Sequence, residues 1–211
     1  MIKGLIAKEI LVLVKNNKIQ FLCLLMFMVL GVFMGSPAYI MFIPFLFPMI
    51  LKQGLTVDEN SKWDKYSACF PVDRKTIVSS KYIVMLFGSL LASVMALVSF
   101  ILINLVNKDK ALSVNDILVY LAASTSVSLI IPSLMYPFDF KYGTAKGRLI
   151  YFIITGIAVA GLSSAFVGAD VISVISRFTQ PLIIASVFTA AMVVFIVSWF
   201  ISARIYEARE I

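Results

Sequence analysis

Long stretches without a charged residue are the feature that most limits how this chain can fold. Residues 19–51 form one such run, and residues 82–105 form another. A transmembrane helix needs about 20 apolar residues to cross the ~30 Å hydrocarbon core of a bilayer. The composition agrees with this pattern, since only 14% of the residues are charged and mean hydropathy is +1.01. Soluble domains are about a quarter charged, so the sequence predicts an all-α polytopic membrane protein.

The chain has room for about six spans and forms a single predicted transmembrane domain, residues 1–211. A straight helix over residues 19–51 would be ~50 Å long, which is too long for one crossing. Gly35, Ser36 and Pro37 favour a turn at the middle of that run. The predicted spans are therefore about 19–35, 37–54, 76–106, 115–138, 148–169 and 178–204.

The basic residues predict the orientation of these spans, because cytosolic loops of membrane proteins are enriched in Lys and Arg. If both termini are cytosolic, all but three of the 18 basic residues lie inside, the exceptions being Lys108, Lys110 and Arg177. A five-span arrangement would instead export the basic residues of the loop before the third span. We therefore expect a multi-pass protein with both termini in the cytosol.

The first residues, 1–18, predict an amphipathic helix. Four apolar side chains fall on one side and three lysines on the other: Ile2, Ile6, Ile10 and Leu13 against Lys8, Lys15 and Lys18. Such a helix can lie in the headgroup layer before the chain enters the first span. The alternative is a charged lead-in that only fixes the topology.

The loop at residues 55–75 carries several structural signals. Thr56 and Glu59 have the spacing of a capping box, so we expect a short helix to begin at Thr56. Pro71 would end that helix at Phe70. A second helix is expected to follow Asp73 and to run without a break from residue 74 to residue 106.

Helical spacing would place four residues of this loop on one face, namely Glu59, Lys62, Trp63 and Tyr66. Exposed aromatic and basic side chains on a short helix are typical of a protein contact. The alternative is a loop that only fixes topology, with Trp63 in the headgroup belt.

Residue types that carry out chemistry are scarce. The chain has no histidine, which excludes Ser-His-Asp triads, Cys-His pairs, HExxH metalloproteases and most zinc sites. The segment GTAKGR lacks the spacing of a phosphate-binding loop. Asp139 and Asp170 lie near the ends of predicted spans, whereas ion-coupled carriers place acidic residues near the midplane. We therefore predict no enzyme activity and no catalytic, metal or cofactor site on this chain. The net charge is +7, but the basic residues flank apolar runs, so no nucleic-acid partner is expected.

Residues 59–83, ENSKWDKYSACFPVDRKTIVSSKYI, resemble the first cytosolic loop of small bacterial ABC-2 type permeases. That loop typically holds an acidic residue, a Lys-Trp-Asp/Glu cluster and a PV-R-IV-KY segment before a long third span. The matching positions are Glu59, Lys62, Trp63, Asp64, Tyr66, Pro71, Val72, Arg74, Ile77, Val78, Lys81 and Tyr82. The N-terminal KGLIAKEILVLVKNN is similar to the elbow helix of the family, and the six-span layout matches over nearly the whole chain.

The resemblance implies an ABC-2 permease fold of the type V exporter kind in the bacterial cytoplasmic membrane. Permeases of exporters for peptide toxins of the phenol-soluble modulin type are the most similar subgroup, and lantibiotic exporters are next. Two permeases, identical or paralogous, would pair, and each would dock on an ATPase subunit that holds ATP and Mg. The docking residues implied are Glu59, Lys62, Trp63, Asp64, Tyr66, Phe70 and Arg74.

Other partners implied by this interpretation are membrane lipid and a peptide or hydrophobic substrate. One departure is that the segment 168–179 is shorter than the helical hairpin that many ABC-2 permeases have between spans five and six. Two other classes of function stay open: a membrane immunity or scaffold protein that does not transport, and a channel or ion-coupled carrier.

Overall fold

The computed structural model describes residues 2–67, 69–107, 113–167 and 180–208. Within these ranges the chain forms nine helices and no β-strand, which confirms the predicted all-α fold. The helices are α1 (Ile2–Asn16), α2 (Lys18–Met34), α3 (Pro37–Ile40), α4 (Ile43–Asn60), α5 (Trp63–Ser67), α6 (Arg74–Val106), α7 (Val114–Tyr142), α8 (Thr144–Val167) and α9 (Gln180–Glu207). The predictions for Lys108, Lys110, Asp170, Arg177 and the segment 168–179 lie outside the described residues.

The chain bends sharply twice within its first 42 residues. α1 and α2 meet at Asn17 at an angle of 72°, and the buried Asn17 side chain donates to the carbonyl of Leu13 at 2.9 Å. α2 ends at Gly35, which adopts φ +60°, and the Gly35 N–H donates to the carbonyl of Val32 at 3.3 Å. Glycine reaches this left-handed conformation without a steric cost because it has no Cβ. The turn predicted at Gly35 is therefore present.

α4 continues to Asn60, so the helix start predicted at Thr56 is wrong. The Thr56 hydroxyl donates back to the carbonyl of Lys52 at 3.2 Å, a bond that is compatible with a helix interior. Leu51 and Leu55 are buried and extend the apolar face of α4 through this region. Their packing prevails over the capping signal, and α4 carries its polar C-terminal turn directly to α5.

α6 is the central helix and packs against α1, α2, α4, α7 and α9. Its 33 residues are continuous, as predicted, and they extend over ~50 Å. The helix begins after Asp73, whose backbone is extended but whose side chain makes no capping bond. Gly88 allows close contact with α4, because a Cβ there would lie 2.3 Å from the ring of Phe47.

Contacts between neighbouring helices lie at both ends of α6. At its C-terminal end, the Asn107 amide donates to the carbonyl of Val32, near the end of α2, at 2.6 Å. At its N-terminal end, the Tyr206 hydroxyl of α9 donates to Asp64 of α5 at 2.9 Å. We call this second region the polar end; it comprises residues 58–75, 139–148 and 204–208 and the adjoining part of α1.

Three helical segments in the described part of the chain are long and apolar enough to cross a membrane: Arg74–Val106, Val114–Tyr142 and Ala185–Glu207. The bent pair of α1 and α2 adds a fourth if it is counted as one broken span. α2 alone has 17 residues, and α4 carries three charged residues. The structure therefore supports a polytopic membrane protein with three or four candidate spans.

Candidate functional site

A left-handed turn at the polar end separates α4 from α5. Lys62 adopts φ +54°, a conformation that residues other than glycine rarely adopt. Its N–H donates to the carbonyl of Glu59 at 3.1 Å, while its side chain is exposed. The turn divides the four residues predicted to share one face between two helices. That prediction is therefore wrong: Glu59 belongs to α4, and only Trp63 and Tyr66 belong to α5.

Trp63 packs against α1 and is partly buried, which corrects the expectation of an exposed ring. The ammonium group of Lys8 lies 4.4 Å from the centroid of the Trp63 ring, within the range of a cation–π interaction. The Phe70 ring lies 6.2 Å away on the other side of the loop. The indole Nε1 is buried and has no hydrogen-bond partner among the described residues. Trp63 therefore anchors α5 to α1.

Two other aromatic side chains of the loop face outward. Tyr66 is 64% exposed and Phe70 is 55% exposed. Beside them lies a cavity of about 290 Å³ between α1 and the loop, whose lining includes Gly4, Trp63 and Phe70. The polar end therefore presents an aromatic surface next to a hollow, a combination that suits a protein contact.

The loop is also attached to the C-terminal end of α9. Asp64 accepts a hydrogen bond from the Tyr206 hydroxyl at 2.9 Å. Arg74 Nη1 donates to the carbonyl of Glu207 at 2.9 Å, and Lys75 lies 3.4 Å from the Glu207 carboxylate in an exposed ion pair. Of the predicted docking residues, Asp64 and Arg74 thus hold the loop in place.

Glu59 joins the loop to the start of α8. Its carboxylate accepts hydrogen bonds from the Thr144 backbone N–H at 2.7 Å and from the Thr144 hydroxyl at 2.5 Å. A carboxylate at a helix N-terminus satisfies a free N–H group and interacts favourably with the helix dipole. Gly143 has φ +83°, and a Cβ there would lie 2.8 Å from Glu59 Oε1. Glycine is therefore required where the two segments meet.

A largely buried network of four charged side chains connects α1, α4 and α6 at the same end: Glu9, Asp58 and Lys81 are buried, and Lys8 is partly buried. Lys81 Nζ lies 2.8 Å from Glu9 Oε1 and also pairs with Asp58. Lys8 Nζ lies 3.0 Å from the same Glu9 oxygen and pairs with the other oxygen of Asp58. Each carboxylate thus contacts both ammonium groups, and the network is neutral. Buried charges are tolerated when they are paired in this way.

Sequence patterns missed most of this network. The helical pattern placed Lys8 on the solvent side, and of the four residues only Lys81 is among the matching positions of the loop motif in residues 59–83. Glu9 lies three residues after Ile6 and four before Leu13, so it occupies the inward stripe of α1. A charge inside an apolar stripe is the signal that could have identified it as a buried partner.

Packing buries only part of the predicted apolar side of α1. Ile6 packs against the core and Leu13 is buried, whereas Ile2 and Ile10 are exposed together with Leu11. The inward stripe contacts α4 and α6, and Ile10 and Leu11 lie outside that stripe. α1 therefore presents a second apolar surface away from the bundle.

A second buried pair links α4 to the end of α7. Lys52 Nζ lies 3.2 Å from Asp139 Oδ1, and both side chains are buried. A Cβ on Gly147 would lie 1.6 Å from that Asp139 oxygen, so glycine makes room for the pair. Asp139 is therefore a structural partner of α4. In the described ranges, no group of three His, Cys, Asp or Glu side chains could hold a metal.

The fold and the polar end define the class of this protein. Its long apolar helices, which enclose buried charge pairs at one end and expose aromatic residues beside them, are those of a multi-pass membrane protein. The family model of ABC-2 family transporter proteins matches residues 4–207. The chain therefore belongs to the ABC-2 transporter family. No curated protein and no solved structure gives a significant match.

Membership makes the chain the permease component of an ABC transporter, and it implies partnership with an ABC ATPase subunit. The predicted family is thus confirmed over nearly the whole chain. The function of such a component is transport through the membrane rather than catalysis.

Proposed function

We propose that the chain is the permease subunit of an ATP-driven exporter. Its substrates are amphipathic or antimicrobial peptides or other hydrophobic compounds, which it moves out of the cell. The family match supports the transporter class, and the resemblance of residues 59–83 to small peptide-toxin permeases supports the substrate class. ATP and Mg are bound by the partner ATPase, since the chain carries no phosphate-binding motif.

The single observation that carries this proposal is the set of contacts that attach α5 to the neighbouring helices. Tyr66 and Phe70 are exposed, while the neighbouring Trp63 and Asp64 contact α1 and α9. Glu59 adds the contact with α8. A partner that moves the aromatic surface would therefore pull on three helices at once, as a coupling element must.

The proposed topology has six spans, formed by α2, α4, α6, α7, α8 and α9, in the bacterial cytoplasmic membrane. Both termini and the polar end lie in the cytosol, because this arrangement places most basic residues inside. α1 lies along the cytosolic headgroup layer, and the exposed Ile2, Ile10 and Leu11 enter the boundary of the acyl chains. A second permease, identical or paralogous, completes the pathway for the substrate.

The docking surface is tested with the double variant Tyr66→Ala/Phe70→Ala. The permease is coexpressed with each ABC ATPase of its source organism in turn, and copurification and ATP hydrolysis are measured in reconstituted vesicles. Truncation of aromatic anchors typically costs ~2 kcal/mol or more, so affinity should fall about thirtyfold. Phe33→Ala is the matched control, because Phe33 is 77% exposed on α2, far from the polar end.

Equal ATPase binding by the double variant and the parent would contradict docking at α5. If the parent binds no ATPase, the alternative of an immunity or scaffold protein is favoured instead. The substrate class is tested separately, by the stimulation of hydrolysis with amphipathic peptides and by their uptake into inverted vesicles. Stimulation by inorganic ions alone would favour the carrier alternative.

A further inference from the structure

A groove lies between α7 and α9. It encloses a cavity of about 450 Å³, lined mainly by apolar side chains that include Leu134, Pro137, Phe138, Val193, Val197 and Ile201. Several of these side chains are 40% or more exposed. Its position is independent of the aromatic surface on α5.

The floor of the groove has no polar group that calls for a polar ligand. The Ser198 hydroxyl donates to the carbonyl of Ser133 and is bonded to the Tyr82 hydroxyl at 2.6 Å. Tyr82 is also bonded to Ser202 at 2.7 Å. These hydroxyl groups are satisfied by one another, so an occupant of the groove would meet an apolar surface.

The end of the groove that lies at the polar end is different, because Lys141 and Tyr142 line it. Both side chains are exposed, and the Lys141 ammonium lies 5.2 Å from the centroid of the Tyr142 ring. Lys141 forms no ion pair with any residue that the structure describes. The lysines of the buried pairs, Lys8, Lys52 and Lys81, are all neutralised by carboxylates.

The groove thus has the polarity of a phospholipid: apolar along its length and cationic at its cytosolic end. From Ser133 to Lys141 the helix rises ~12 Å, which fits within one leaflet of a ~30 Å hydrocarbon core. A lysine at the headgroup level attracts anionic lipids of the cytoplasmic leaflet. We propose that the groove between α7 and α9 binds one acyl chain of an anionic phospholipid whose phosphate pairs with Lys141.

The proposal is tested with the full-length permease in detergent, by native mass spectrometry after addition of phosphatidylglycerol or phosphatidylcholine. The parent should retain one phosphatidylglycerol and much less phosphatidylcholine. Lys141→Gln should weaken retention of phosphatidylglycerol about fivefold, the usual factor for one lysine at an anionic surface. Lys65→Gln is the matched control, since Lys65 is another exposed lysine of the polar end.

A second variant tests the apolar part of the site without changing charge. Val197→Phe places a larger side chain in the groove and should displace the retained lipid, whereas Val94→Phe, at an exposed valine of α6, should not. Equal retention of both lipids with no effect of either groove variant would overturn the proposal. So would rapid disulfide crosslinking of two chains through Val197→Cys in a variant lacking Cys23 and Cys69, because a second copy would then occupy the groove.

Discussion

The two sides of α5 are held by different kinds of interaction. On the α1 side, Trp63 lies under the Lys8 ammonium, which belongs to the buried network of Lys8, Glu9, Asp58 and Lys81. On the α9 side, α5 itself makes one hydrogen bond, which Asp64 accepts from Tyr206. The start of α6 adds a hydrogen bond from Arg74 to the carbonyl of Glu207 and the exposed ion pair of Lys75 with Glu207.

This difference indicates which contacts can change during a transport cycle. Breaking the buried pairs of Lys81 with Glu9 and Asp58 leaves uncompensated charges and is strongly unfavourable, whereas the exposed pair of Lys75 with Glu207 is weak and screened by water. We infer that α5 is held more firmly on the α1 side, so the contacts with α9 are the first to change when a partner pulls on all three helices. The following variants test this asymmetry, from the largest expected effect to the smallest.

Lys81→Met should have the largest effect. The substitution leaves the Glu9 and Asp58 carboxylates with Lys8 as their only shared cation, so the free energy of unfolding should fall by ~3–5 kcal/mol. Thermal unfolding followed by tryptophan fluorescence measures the loss. Lys62→Met, at an exposed lysine of the same end, is the control, and a similar loss in both would mean that the network does not stabilise the fold.

Trp63→Ala should lower stability by ~2 kcal/mol, because it removes both the cation–π interaction with Lys8 and the contact with Phe70. ATPase binding should weaken at the same time, since α5 loses its anchor. Trp63→Phe keeps an aromatic ring and should restore most of both. Circular dichroism on heating and copurification provide the two measurements; an effect on ATPase binding without any loss of stability would show that Trp63 contacts the partner directly.

Tyr206→Phe removes the hydroxyl that donates to Asp64 and should cost ~1.5 kcal/mol, the usual value for a hydrogen bond to a charged group. Because α5 stays attached to α1, the chain should remain folded and bind the ATPase. Hydrolysis in reconstituted vesicles should become less dependent on substrate. A loss of stability as large as that of Lys81→Met would remove the asymmetry between the two sides.

Lys75→Ala breaks only the exposed pair with Glu207 and should change stability by less than ~1 kcal/mol. Raising the salt concentration should reduce the difference between variant and parent further, because salt screens exposed charges. Unfolding at low and high ionic strength tests this expectation, and a large effect that persists at high salt would show that the α9 side is held more firmly than its exposure indicates.

The features that depend on a local sequence pattern were predictable. The turn at Gly35 follows from glycine chemistry, and the continuous α6 follows from the proline-free segment after Pro71 that leads into the uncharged run of residues 82–105. The family itself was recognisable from residues 59–83, since the spacing of a charged and aromatic loop before a long helix is specific. These features depend on residues that are close together in the sequence, so local sequence patterns predict them.

The contacts of the polar end were not predictable in the same way. Thr56 carried a capping signal that the packing of Leu51 and Leu55 overrides, and the contact of Glu59 with the start of α8 was not among the sequence predictions. Asp139 likewise finds its partner far away in the chain, on α4. Pairings over such long separations depend on the tertiary arrangement, which single-sequence patterns do not encode.

The length and continuity of α6 have a mechanical consequence. The helix contains no proline, whereas α4 and α7 each carry proline inside the helix, so α6 is the stiffer rod and transmits rotation rather than bending. For a rod of ~50 Å, a tilt of about 5° around its midpoint displaces each tip by about 2 Å in opposite directions. A small push at Arg74 would thus reappear at Asn107, which holds the end of α2 through Val32, on the far side of the membrane. Such a tilt would couple the polar end to the end of α2.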